Sequence, residues 1–136
     1  MSVEFIDTNV LIYAHDRSTG RKHEKAVDLL TRLFADRARG ISIQILIEFY
    51  SAATKKLKFS SAEAQKVLVD MAAWAIHRPG HDDLIRAARL HRRYKISWWD
   101  ALILNSATEL GCNVLWTEDL SHGQRYGTVT VQNPFL

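Results

Sequence analysis

The sequence predicts an α/β fold with a mainly parallel sheet, and three observations carry that expectation. Short β-favouring apolar runs alternate along the whole chain with segments of helical periodicity. The run at 113–117 (NVLWT) is almost continuously apolar, as a strand covered on both faces must be. No linker-like composition divides the 136 residues, so 1–136 reads as a single domain long enough for a real core.

Each element has its own signal. Residues 3–6 (VEFI) favour a first strand, and Asp7 and Asn9 suit a strand-to-helix turn. Over 23–36, Ala26, Leu29, Leu30, Leu33 and Phe34 share one helical face. Gly40 is expected to break that helix, with 41–44 as the second strand. Ile45, Phe49 and Ala52 then align on a helix ending near Lys56. Ser60 and Glu63 have capping-box spacing and open a helix carrying Leu68, Met71 and Ala75. Pro79 and Gly80 mark a loop, with a short third strand around 75–77. A helix follows over about 82–94, and Ser97 caps another over 98–110, stopped by Gly111. The strand at 113–117 and a final β run at 128–132 complete the order.

Composition narrows the class. Hydrophobic content of 47% and charged content of 24% are ordinary for a soluble globular protein. No apolar run approaches the roughly 20 residues needed to span a bilayer. The start, MSVEFIDTN, lacks the basic then apolar regions of a secretory signal. The single cysteine, Cys112, excludes an internal disulfide framework and fits a reducing cytoplasm, with the thiol as a small buried apolar group. Net charge is only +3, but basic residues cluster at Arg21, Lys22 and Lys25, at Lys55, Lys56 and Lys58, and over 86–95. In the last cluster Arg86, Arg89 and Arg93 share a helical face, which suits either solvent or a phosphate backbone.

Four acidic residues stand where apolar runs end: Asp7 in VEFIDTNVLIY, Glu48 in SIQILIEFY, Asp100 in SWWDALIL and Asp119 in VLWTEDL. A carboxylate beside interior residues is costly unless its charge is compensated. Asp7 and Asp119 follow strands, so both should emerge at the carboxyl edge of a parallel sheet, where such sheets bind ligands. Glu48 and Asp100 lie early in helices, whose N-termini favour negative charge by about 0.3–1 kcal/mol. Each site alone has a structural explanation as turn former, cap, dipole partner or loop charge. Together those explanations gather charge on one edge. Two carboxylates about 5 Å apart repel by roughly 3 kcal/mol at an effective dielectric near 20. A divalent cation relieves that repulsion, and oxygen ligands with no cysteine and no placed histidine point to Mg²⁺ or Mn²⁺.

The blocks IDTNVLIYA, IEF, SWWDALIL and LWTEDL, in that order, resemble the PIN-domain ribonucleases, most closely the small VapC-like toxins of toxin–antitoxin pairs. The closing VTVQNPF resembles the last strand and tail of that group. The resemblance spans nearly the whole chain. It implies a three-layer α/β/α fold and a Mg²⁺-dependent endoribonuclease acting as a toxin silenced by a cognate antitoxin, with a homodimer as the expected assembly. It places Asp7, Glu48, Asp100 and Asp119 on the family's acidic metal-binding quartet, and Asn9 and Thr117 on the supporting polar positions. Glu118 adjoins Asp119, and either could point inward; the family position favours Asp119.

Other readings stay open on the sequence. A structure-specific DNA nuclease could use the same acids, although the chain has no spare length for duplex-handling elements. A non-catalytic RNA-binding module would sit better with a broken quartet. The histidines show no close pair except His77 and His81, which straddles Pro79 and Gly80; His122 lies nearest an acid. Trp74 and Trp116 read as core, while one of Trp98 and Trp99 is free to border a cleft. Leu68, Met71 and Ala72 suit either the core or a dimer seam.

Overall fold

A computed structural model describes residues 2–136. The chain begins β1 (Glu4–Ile6), α1 (Thr8–Ala14), α2 (Arg21–Ala35), β2 (Arg39–Ser42), α3 (Ile43–Lys55). It continues α4 (Ser61–Asp70), β3 (Ala75–His77), α5 (His81–Tyr94), α6 (Trp98–Glu109), β4 (Val114–Trp116), β5 (Arg125–Tyr126), β6 (Val129–Gln132). One six-stranded sheet runs β3-β2-β1-β4-β6-β5, parallel except for the β5–β6 pair. Helices cover it in a three-layer α/β/α arrangement, as expected.

The chain winds outward from β1 to β3 on one side, then returns across the sheet to β4 on the other side of β1. The strand order therefore reverses between β1 and β4, where Phe5 pairs with Leu115 and Ile6 with Trp116. A crevice opens at such a switch point outside the carboxyl ends of the strands. Phe5, Ile6, Ile41, Leu115 and Val131 are fully covered, and Val10, Leu33, Phe49 and Leu104 pack over them from the helices. Cys112 is buried with this core, and burial pushes its thiol up to about 12.

Several boundaries differ from the sequence expectation. The helix of 23–36 starts earlier, at Arg21, and ends at Ala35, before Arg37 turns left-handed with φ 53°. Gly40 does not break the helix; it lies inside β2, between Phe5 and Ala75 of the neighbouring strands. A Cβ there would overlap the Val3 side chain, so glycine meets a need for close approach. The second strand ends at Ser42, whose side chain caps α3, so Ile43 and Gln44 are already helical. The capping box of Ser60 and Glu63 forms, but α4 stops at Asp70 and Ala75 belongs to β3. No helix is long and apolar enough to cross a membrane among the described residues.

Candidate active site

β1 delivers Asp7 directly into the switch-point crevice. The residue caps α1, its Oδ1 accepting the Thr8 N–H at 2.7 Å, and it is buried. Thr117, also buried, stands just past the end of β4 and donates its hydroxyl to Asp7 Oδ2 at 2.7 Å. The Asn9 amide reaches Asp7 Oδ2 at 3.5 Å, Thr117 Oγ1 at 3.3 Å and Asp119 Oδ2 at 3.1 Å. The Thr117 hydroxyl also accepts the Asp119 N–H at 3.1 Å. Asn9 and Thr117 thus join the β1 and β4 ends into one polar cluster.

The other two acids come from helices. Glu48 lies in the second turn of α3, past the reach of the helix dipole that its expected position near the helix start invoked. Its carboxylate is held instead by side chains, Thr8 Oγ1 donating at 2.7 Å and Gln44 Nε2 at 3.3 Å. Asp100 does sit in the first turn of α6, where Ser97 accepts its N–H at 3.1 Å as the expected cap. All four acids line one cleft of about 650 Å³.

Electrostatics record the crowding. Burial pushes Asp7 up to about 7; the hydrogen bonds from Thr117 and Thr8 oppose it, and the charges of Asp119 and Glu48 add to it. Asp100 is raised mainly by burial, with Ser97 opposing and Asp119 and Glu48 adding. The donor set is all oxygen, and Asn9 Oδ1 is a buried acceptor without a partner. That chemistry fits a hard divalent cation, with the four carboxylates as the residues able to hold it. Among the described residues, no three His, Cys, Asp or Glu side chains are already arranged around one point. Asp7 and Asp119 are bridged by the Asn9 amide instead.

Glu118 takes a different course from its neighbour. It accepts from Tyr13 OH at 2.7 Å and from Lys22 Nζ at 2.9 Å, which ties it to the cleft wall. Asp119 is the one of the two that meets Asn9.

Arg86, Arg89 and Arg93 are not among the residues that line this cleft. Arg86 pairs with Asp83 at 2.8 Å and with Glu109 at 3.0 Å, at the end of α6 opposite Asp100. Arg93 lies over Tyr94, and Arg89 is exposed on the same helix. Lys56 is the basic residue that lines the acidic cleft. Trp99, 62% exposed, borders it, while Trp116 donates its indole N–H to Glu4. His122 accepts the Asn133 N–H and so staples a loop.

A family profile described as PIN domain matches residues 5–126. The chain belongs to the PIN-domain family. No curated protein matches it significantly. Among solved structures, a toxin–antitoxin complex from Klebsiella pneumoniae is 23% identical at a TM-score of 0.70, covering 96% of this chain and 97% of that one. VapBC2 from Rickettsia felis, bound to a DNA fragment from its promoter, is 20% identical at 0.71, covering 98% of each chain. VapC20 from Mycobacterium tuberculosis, a sarcin–ricin loop cleaving toxin, is 18% identical at 0.65, covering 82% and 85%. At these identities the likeness is one of fold.

Two supports in this PIN domain carry no expectation from sequence. Gln44 precedes Glu48 by four residues on the same helix face, a spacing that could have flagged it. Thr8 gave no signal, because its partner lies forty residues away.

Proposed function

We propose that this PIN domain is a divalent-metal-dependent endoribonuclease, using Mg²⁺ or Mn²⁺, and serves in the cytoplasm as the toxin of a toxin–antitoxin pair. The observation that carries the reading is the meeting of Asp7, Glu48, Asp100 and Asp119 on one cleft at the switch point. VapC20, of similar fold, is a sarcin–ricin loop cleaving toxin, and the Klebsiella pneumoniae structure of similar fold is a toxin–antitoxin complex, which supports the biological role.

Asp7 and Asp100 are the proposed principal metal ligands, with Asp119 and Glu48 completing the set. A cation bound there supplies positive charge to the scissile phosphate and acidity to the attacking water. Asn9 and Thr117 fix Asp7 and Asp119 in mutual register, while Thr8 and Gln44 fix Glu48. Glu48 or Asp119 accepts the proton of the water, being less deeply buried than Asp7. Lys56, which lines the cleft, is the proposed contact for substrate phosphate beside the acids, with Arg86, Arg89 and Arg93 left as candidates for RNA beyond it.

An antitoxin segment lying along the cleft with a basic side chain among the acids would silence it. A homodimer through exposed Ile47 and Leu84, which line one apolar groove, completes the proposal, and sedimentation tests it.

Cleavage of matched RNA and DNA oligonucleotides across a Mg²⁺ titration tests the activity. RNA should be cut by the wild type, and not by folded Asp7→Ala or Asp100→Ala. Cleavage of DNA alone would favour the DNA nuclease, and cleavage of neither would leave an RNA-binding module.

A further inference from the structure

The four tryptophans differ in what surrounds them. Arg32 lies over the Trp116 ring, and Arg39 lies over both Trp74 and Phe34. Trp98 is half-buried. Trp99 alone is exposed, at 62%, and among the described residues no ring or cation covers it. An indole carries one of the largest apolar surfaces of any side chain, so leaving it in water sacrifices burial that the fold could have used.

The backbone that carries this ring is held in place. Trp99 lies in the first turn of α6 beside Asp100, and its carbonyl accepts the Gln44 side-chain N–H at 3.4 Å. Gln44 also donates to Glu48 at 3.3 Å, so one amide ties the ring-bearing turn to the acid of α3. Trp99 lines the acidic cleft together with Asp7, Glu48, Asp100 and Lys56. Tyr13, the other aromatic residue of that cleft, is already engaged. Phe135 packs edge-on against it at 4.9 Å, Lys22 lies over its ring at 4.8 Å, and its hydroxyl is committed to Glu118.

We propose that Trp99 is the stacking platform for an unpaired RNA base next to the phosphate held at the acids. The inference rests on the reading of the cleft as an RNA site and names the part of the substrate that the ring grips. A phosphate brought to Asp7 and Asp100 carries its flanking bases to the cleft rim, and every base offers an indole a flat π-face. A paired base cannot supply that face, because its neighbours in the helix cover it. Lys56 in the same cleft takes backbone charge, so ring and cation divide the nucleotide between them. Trp99 also borders the groove of Ile47 and Leu84. Its company favours RNA over a second copy of the chain, since the centre of a subunit seam is depleted of charge and this ring stands among carboxylates and a lysine.

Stopped-flow anisotropy, read before cleavage, compares a labelled oligouridylate with an abasic oligomer of the same length in Mg²⁺. The wild type should bind the oligouridylate about tenfold tighter. Trp99→Ala should erase that preference, Trp99→Phe should keep part of it, and Phe34→Ala, outside the cleft, should leave it whole. In steady-state cleavage, Trp99→Ala should raise KM for an unpaired RNA more than it lowers kcat. Equal binding of the two oligomers by the wild type, or a preference that survives Trp99→Ala, overturns the proposal. So does a Trp99→Ala protein that sediments as a monomer where the wild type is a dimer, since the ring would then belong to a subunit seam. A Trp99-dependent base preference without any cleavage would sink the nuclease reading and leave the platform standing.

Discussion

The Thr8 hydroxyl donates to Glu48 Oε1 at 2.7 Å, so the residue beside Asp7 on the β1 end positions the acid that α3 contributes. A neutral hydrogen-bond donor can thereby hold two carboxylates from different elements in one cleft without itself adding charge. Removing it should loosen Glu48 while leaving the Thr8 N–H on Asp7. We expect Thr8→Val to cost about 1 kcal/mol of stability. RNA cleavage should fall by roughly tenfold and the Mg²⁺ requirement should rise. Initial rates over a metal titration check this, and an unchanged titration would sink the positioning role.

Asp7 makes the metal-free protein less stable as pH rises. Its folded pKa of about 7 lies above its ordinary value of 3.8, so the folded state holds a proton that the unfolded chain has lost. Stability is therefore full below about pH 4 and is lost progressively until about pH 7. Asp7→Asn should flatten that slope and raise the melting temperature at neutral pH in EDTA, a stabilisation of about a few kcal/mol at most. It should also remove the stabilisation that Mg²⁺ gives the wild type. Thermal melts with EDTA or excess Mg²⁺ across the pH range measure both effects.

Asp83 works in the opposite sense. It is buried and accepts from Asn105, Gly80 N–H and Arg86, with His77 3.4 Å away, and these hold it down to about 2. A depressed carboxylate stabilises the fold above its unfolded value near 4, and that stability is lost as pH falls toward 2. Asp83→Ala should cost on the order of 2–3 kcal/mol at neutral pH, because it strands the buried Asn105 amide, while Arg86 keeps Glu109. Urea unfolding at neutral and at acid pH should show the difference shrinking with the pH.

Gly40 gives a packing test. Gly40→Ala drives a methyl into the Val3 side chain and to 3.3 Å from the Glu4 carbonyl oxygen. The expected cost is about 1–3 kcal/mol. Adding Val3→Ala should recover part of it, because the main obstacle is a side chain. A double-mutant cycle in denaturant would expose the coupling; strictly additive losses would refute the contact.

What could be read in advance follows from the range of each signal. Asp7 and Asp119 were legible because apolar strands announce their own ends, and the carboxyl edge of a parallel sheet is a shared place. Ser60, Glu63 and Ser97 were legible because capping chemistry is complete within three residues. Gly40 was misjudged because a glycine marks a helix break and a close strand approach with the same letter. Arg86, Arg89 and Arg93 have the spacing of one helical face, but periodicity cannot say whether that face lines the acidic cleft, and it does not. The links from Thr8 to Glu48 and from Arg39 to two rings join residues apart in sequence, so no local pattern reports them.

The pairing of β1 with β4 has a consequence for synthesis. Asp7 gains its Thr117 partner only after 110 further residues have been made, and Asp119 arrives later still. Every shorter nascent chain leaving the ribosome holds only part of the acidic set. If the finished molecule cuts RNA, translation itself delays that hazard until the last strands emerge.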